Sequence, residues 1–141
     1  MKREIISLSP EETFKTAAEL GASASPGDII TLSGELGTGK TLFARGIASG
    51  MGLDDDITSP SFSIMEMHEG PVPLYHFDLY RIENPAELDE LFFDEYWEGD
   101  GVSVIEWPEM AGGRLPARLT RVTIDYTGSH TRRITIEYPD D

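Results

Sequence analysis

Hydrophobic and polar positions along the chain switch between two periods, and the switches mark out the expected elements. Glu4 to Leu8 reads as a first strand. Ser9-Pro10-Glu11-Glu12 then combines an N-cap serine, a proline at the first helical position and a glutamate at N3, the grammar of a capping box. Phe14, Ala17, Ala18 and Gly21 share one helical face, so a helix is expected to run to about Leu20. Ser23 to Gly27 is a turn, and Ile29-Ile30-Thr31-Leu32 reads as a short buried strand. Leu42 to Ala48 carries an apolar stripe at helical spacing, and that helix should stop near Gly50-Met51-Gly52.

The second half reads as strands with short connections. Asp54-Asp55-Asp56 is expected to be a solvated loop. Phe62 to Met67 and Pro73 to Tyr80 suggest a hairpin around His68-Glu69-Gly70-Pro71. Asn84-Pro85-Ala86-Glu87 repeats the helix-start grammar, and Leu88, Leu91 and Phe92 follow at helical spacing. Gly99-Asp100-Gly101 breaks the chain before the apolar strand Val102 to Glu106. Arg118 to Tyr126 and Arg132 to Tyr138 alternate around Thr127-Gly128-Ser129-His130, which predicts a terminal hairpin.

One segment gives this pattern a chemistry. Gly34-Glu35-Leu36-Gly37-Thr38-Gly39-Lys40-Thr41 is a complete G-x-x-x-x-G-K-[ST] loop, set between the strand at Ile29 and the helix at Leu42. Glycines at these positions let the backbone wrap a polyphosphate with its N–H groups pointing inward, and the following helix N-terminus adds partial positive charge. Lys40 would reach the β- and γ-phosphates, and the Thr41 hydroxyl would ligate Mg²⁺. The motif in this context predicts a site for a nucleoside triphosphate. The expected architecture is a single α/β P-loop NTPase domain over residues 1–141, with a mainly parallel central sheet flanked by helices and a C-terminal β-hairpin.

Composition narrows the partners. The 141 residues are 39% hydrophobic and 26% charged, as in globular domains that bury a core. No apolar run approaches the roughly 18 residues of a membrane span, and the start of the sequence lacks the apolar core of a signal peptide. The absence of cysteine excludes disulfides and thiolate metal sites. A cytoplasmic location and no membrane partner are therefore expected. Twenty-six acidic against eleven basic residues leave a net charge of −15, and one of the three lysines is the loop's own. Binding to free nucleic acid depends on cations that neutralise phosphates, so this surface is poor for holding tRNA unaided. Most of the acidic excess reads as solvated surface.

A phosphate-binding loop works with a carboxylate at the end of a neighbouring strand, which holds the metal or orients its waters. Tyr75-His76-Phe77-Asp78 and Val104-Ile105-Glu106-Trp107 each place an acid after a short apolar run. His76 is read as a packed strand residue, since Asp78 beside it already fits the chemistry. His68 and His130 lie in predicted turns with no metal role. Tyr96 and Trp97 are read as core or partner surface, with core favoured, and Arg81 as pairing an acid or a phosphate.

The glycine-rich loop, Thr58-Ser59-Pro60-Ser61-Phe62, His76-Phe77-Asp78-Leu79-Tyr80-Arg81 and Ile105-Glu106-Trp107-Pro108-Glu109 occur in an order and spacing that resembles the TsaE (YjeE) family. These are bacterial ATPases of tRNA threonylcarbamoyladenosine biosynthesis. The resemblance spans nearly the whole chain, with Glu35 and Ser61 standing where Asp and Thr are common. It implies ATP and Mg²⁺ as ligands and TsaD and TsaB as partners, with tRNA reached only through that complex. ATP hydrolysis would support repeated turnovers. By the same resemblance Lys40 contacts phosphates, Thr41 and Glu106 hold the metal, and Asp78 polarises the attacking water or anchors the metal's water shell. Gly37, Thr38 and Gly39 would cradle phosphate, Trp107 would sit beside the nucleotide, and Glu11 and Arg132 would approach it. Residues 58–62 would form a switch-like loop near the γ-phosphate.

Two other classes share this loop. A small P-loop kinase would also use Mg²⁺, but the chain is short and shows no acceptor pocket or arginine-rich lid segment. A nucleotide-dependent interaction module would lack turnover, which Asp78 and Glu106 argue against.

Overall fold

The computed structural model describes residues 1–35, 37–53, 65–90, 96 and 99–139. In chain order these form β1 (Lys2–Ser7), α1 (Pro10–Ser23), β2 (Ile29–Ser33), α2 (Lys40–Gly50), β3 (Met65–His68) and β4 (Leu74–Asp78). There follow α3 (Glu87–Glu90), β5 (Val102–Glu106), a 3₁₀ turn (Pro108–Ala111), β6 (Thr120–Tyr126) and β7 (Arg132–Glu137). Leu36, the acidic run 54–56, the expected switch-like loop 58–62, the first residues of the strand expected from Phe62, Leu91, Phe92 and Trp97 lie outside the described residues.

The seven strands make one sheet in the order β1-β7-β6-β2-β5-β4-β3. Its centre, β6-β2-β5-β4, is parallel, while β3, β7 and β1 join antiparallel. The sheet is therefore evenly mixed and not mainly parallel. The reason lies in the connections: a few residues between β3 and β4, or β6 and β7, can only turn the chain back on itself. β1 adds to the far side of that terminal hairpin, with Ile5 opposite Ile134. The terminal hairpin itself forms as expected, with Tyr126 opposite Arg132 at its tip.

β2 and β5 are buried on both faces, so they read as continuous apolar runs instead of alternating ones. Ile30, Leu32, Val102, Val104, Val122, Ile124, Ile134 and Ile136 meet Ala17, Leu20, Phe43, Ala44 and Ile47 of α1 and α2. The opposite face packs Ile29, Phe77 and Ile105 against Leu79, Ile82, Leu88 and Ala111. Tyr96 edges against Tyr75 and Phe77 there, as its reading as core requires.

α1 starts as expected. The Ser9 hydroxyl accepts from the Glu12 N–H at 3.2 Å. The Glu12 carboxylate reaches back to the Leu8 N–H, one residue before the cap, so two end groups are satisfied reciprocally. α1 lies on α2 through glycines. A Cβ on Gly21 would stand 2.1 Å from the Ile47 carbonyl oxygen, one on Gly46 2.5 Å from the Ala17 Cβ, and one on Gly50 2.0 Å from the Ala18 carbonyl oxygen. Among the described residues no helix is long and apolar enough to cross a membrane.

Candidate functional site

The glycine-rich loop leaves the C-terminal end of β2 and enters α2 at Lys40. Gly39, at the N-cap of α2, has φ 112°, a left-handed conformation that any other residue would hold under strain. Gly37, at φ 82°, lies so close to Tyr126 that an added Cβ would stand 2.9 Å from its hydroxyl. The loop is thus folded by its own sequence and braced from the terminal hairpin. Arg132 donates from Nε to the Thr38 carbonyl at 3.2 Å, and its guanidinium lies 4.4 Å from the centre of the Tyr126 ring.

β4 and β5 end beside this loop, and their parallel register sets Asp78 opposite Glu106. Alternation along the two strands turns His76, Asp78 and Glu106 toward the face that carries α2. Glu106 is 3% exposed and sits 3.5 Å by either oxygen from the Thr41 hydroxyl. His76, fully buried, brings Nε2 within 2.6 Å of Glu106 Oε2. Asp78 is partly buried and accepts from the Tyr80 N–H at 3.0 Å. Loss of hydration raises its pKa above the ordinary aspartate value, and the nearby Glu106 charge adds to the rise. The Tyr80 N–H, His76 and Lys40 oppose it.

Lys40 is 5% exposed. Its ammonium donates to the Gly34 carbonyl at 2.5 Å and lies 3.5 Å from the centre of the Trp107 ring. Burial lowers its pKa, against the raising influence of Glu106, Glu109 and Asp78. Trp107 has φ 60° and ψ 52°, and is the one non-glycine residue at positive φ among the described residues. That conformation costs about 1–3 kcal/mol and persists only where surroundings fix it. Here the Trp107 N–H donates to Leu32, and the Tyr80 ring rests 5.0 Å away.

Two cavities flank the loop and share Gly37, Gly39 and Leu42. One, about 290 Å³, is lined by Lys40, Thr41, Asp78, Tyr80, Glu106 and Trp107. The other, about 240 Å³, is walled by Ser9, Pro10 and Thr13 of the α1 entry and by Ser129, His130 and Arg132 of the hairpin. Lys40, Thr41, Asp78, Glu106 and Trp107 are thereby brought together, while Thr38 and Arg132 stand on the hairpin side. Glu11 is exposed in the first turn of α1, next to Pro10, and the nearby cavity wall is made by Ser9, Pro10 and Thr13.

His76 is packed, as its sequence position suggested, but it is also in direct contact with Glu106. The signal available was its even spacing from Asp78, which puts both on one strand face. Tyr126 and Ser129 lacked any signal, because only the hairpin register carries them to the loop. The Thr41 hydroxyl and the Asp78 and Glu106 carboxylates at the first cavity have the hard chemistry that suits Mg²⁺. The lysine and the loop N–H groups suit phosphate.

The family model described as "Threonylcarbamoyl adenosine biosynthesis protein TsaE" matches residues 7–134. The chain belongs to the TsaE family. It is similar to the tRNA threonylcarbamoyladenosine biosynthesis protein TsaE of Bacillus subtilis, with 42% identity over 91% of this chain and 80% of that one. Its counterpart in Treponema pallidum is 32% identical over 93% of this chain and 97% of its own length. The crystal structure of Bacillus subtilis YdiB superposes with a TM-score of 0.84 at 36% identity, covering 99% of this chain and 87% of YdiB. TsaE proteins are thus relatives of this chain over most of its length, and tRNA threonylcarbamoyladenosine biosynthesis is the pathway in which it belongs.

Proposed function

We propose that this TsaE protein binds ATP with Mg²⁺ and hydrolyses it, and that hydrolysis supports repeated turnovers of a TsaD–TsaB assembly modifying tRNA. The convergence of Lys40, Thr41, Asp78 and Glu106 on one cavity beside the glycine-rich loop carries the reading. Lys40 donates to the Gly34 carbonyl and lies against the Trp107 face. A polyphosphate offers that desolvated ammonium far stronger charge-assisted acceptors, so Lys40 turns from the carbonyl to the β- and γ-phosphates. Gly37 and Gly39 would present backbone N–H groups to the same phosphates, beside Thr38, whose N–H donates to the Glu35 carbonyl at 3.2 Å.

Thr41 and Glu106 would hold Mg²⁺, which supplies positive charge to the phosphate oxygens. Asp78, close by and partly desolvated, accepts a hydrogen bond from the attacking water and aims its lone pair at the γ-phosphorus. The Trp107 ring lies over the Lys40 ammonium on this side, and contacts there are strengthened where water is kept away. On the hairpin side Arg132 fixes the Thr38 carbonyl and borders the space for the remainder of the nucleotide, with Glu11 nearby on α1. The fold's acidic surface keeps tRNA contact indirect, through TsaD and TsaB, and the site of action is the cytoplasm.

A reconstituted modification assay with TsaD, TsaB and tRNA tests the reading. Many modified tRNAs per TsaD are expected with this protein and ATP, and about one round without either. Equal multiple turnover without this protein would overturn the partner role. Transfer of the γ-phosphate to a small-molecule acceptor would make it a kinase instead.

A further inference from the structure

His76 has no part in the scheme above, yet it is the most deeply placed polar side chain at the site. It is 0% exposed, in the middle of β4, and is flanked by β3 and β5 on the sheet, with Glu66 and Val104 opposite it in register. Its Nε2 lies 2.6 Å from Glu106 Oε2, against 3.5 Å from that carboxylate to the Thr41 hydroxyl. Its other nitrogen, Nδ1, is buried and has no hydrogen-bond partner among the described residues. An apolar residue would fill this place in the sheet without leaving Nδ1 unpaired, so the imidazole is held there at a cost that packing does not repay.

From this geometry we propose that His76 is a positioning residue. By donating from Nε2 to Oε2 it fixes the plane of the Glu106 carboxylate, both of whose oxygens stand 3.5 Å from the Thr41 hydroxyl, so that Oε2 is engaged by the imidazole and Oε1 is the oxygen left for a cation. A glutamate has three rotatable bonds between backbone and carboxyl plane, and strand geometry does not set the outer two. The Thr41 hydroxyl, at 3.5 Å, is too distant to lock them. The backbone does anchor the start of the chain, since the Glu106 carbonyl accepts from the Leu79 N–H at 3.1 Å. His76 anchors the end. A carboxylate held at both ends offers a cation one oxygen in a fixed direction and loses no rotational freedom when the cation arrives.

The inference rests on the proposed Mg²⁺–ATP site, and the experiment separates the two. ATP binding is followed by calorimetry in EDTA and across a Mg²⁺ titration, for the parent protein and for His76→Leu, His76→Gln and His76→Asn, with folding checked by thermal melting. If the parent binds ATP no better with Mg²⁺ than in EDTA, the metal-site reading itself fails. Given Mg²⁺-dependent binding by the parent, His76→Leu should raise the Mg²⁺ concentration for half-maximal tightening by about 10-fold or more, as loss of such outer partners does in metal sites. ATP affinity in EDTA should stay within about 2-fold, because the phosphate contacts do not pass through β4.

His76→Gln, whose amide reaches the former Nε2 position, should recover most of the Mg²⁺ response. The shorter His76→Asn should not. Glu106→Gln should abolish the difference between histidine and leucine at position 76, since nothing charged is left to aim. An unchanged Mg²⁺ response in folded His76→Leu overturns the proposal. Should the leucine variant not fold, a parent-like response in His76→Asn, or an Asn-like response in His76→Gln, overturns it equally.

Discussion

The two cavities beside the glycine-rich loop are close in size and share three residues, yet they are built on opposite terms. On the β4–β5 side the charged groups are Lys40 and Glu106, both nearly out of solvent, with Asp78 partly so. On the hairpin side Ser129 and His130 are exposed, and Arg132 is half-buried over the Tyr126 ring. A charge removed from water interacts several times more strongly than the same charge at a surface. The sheet ends therefore concentrate strong, geometrically fixed interactions where a reaction would need them. The hairpin supplies weaker, solvent-screened ones, suited to holding a ligand without reacting with it. Substitutions on the two sides should differ in size and in the kinetic constant they change.

The largest effect is expected from Asp78→Asn. It should lower kcat for ATP hydrolysis by about 100-fold or more while the Kd for Mg²⁺–ATP changes by less than about 3-fold, as for a group acting on the attacking water. Steady-state assay with TsaD and TsaB, together with calorimetry, separates the two constants. A loss confined to Kd would move Asp78 from the reaction to binding. Next comes Lys40→Ala, which should weaken ATP binding by about 100-fold, the scale of a lost charge-assisted phosphate contact in a buried place. Near-normal affinity in this variant would end the assignment of the loop.

Across the loop, Arg132→Gln should weaken ATP binding by about 5-fold, in keeping with a half-exposed group, and leave kcat within about 2-fold. A collapse of kcat would show that the hairpin belongs to the reaction side after all. The smallest effect concerns stability without ligands. Burial raises the Asp78 pKa on folding, so its ionised form weighs against the fold above that raised value and ceases to do so as pH falls through it. Metal-free Asp78→Asn should then melt no lower than the parent at pH 7, with the difference narrowing toward pH 4. A parent that is the more stable of the two at pH 7 would mean the carboxylate is held by compensating contacts.

The contrast between the sides also explains what could be read from sequence. Signals within one element were legible: the Ser9 cap with Glu12, the loop itself, and the acids that close β4 and β5. Contacts that depend on strand order were not. β1 follows the rule for a strand, but nothing in Lys2–Ser7 says that it will pair with β7 across the sheet from β2. The sheet was therefore expected to be more parallel than it is. Arg132 was singled out, yet its grip on Thr38 and its stacking on Tyr126 exist only because β6 joins β2 in parallel and carries the hairpin alongside. The resemblance implies Trp107 beside the nucleotide, but its left-handed backbone follows from the neighbours that hold it and not from its identity. Distance along the chain hid these, not weakness of the interactions.

The glycine contacts between α1 and α2 have a mechanical meaning. At Gly21, Gly46 and Gly50 each helix presses on the other so closely that a single methyl would overlap the neighbour. Surfaces meshed at that range cannot slide by a fraction of a turn without collision. The helix that begins at Lys40 and the helix that begins at Pro10 therefore travel as one piece, and two walls of the hairpin-side cavity keep a constant spacing. Only the third wall, at Ser129 and His130, is free of that gearing. The width of the slot is set where Arg132 and Tyr126 hold the hairpin against the loop, like a stop bolted to a fixed anvil.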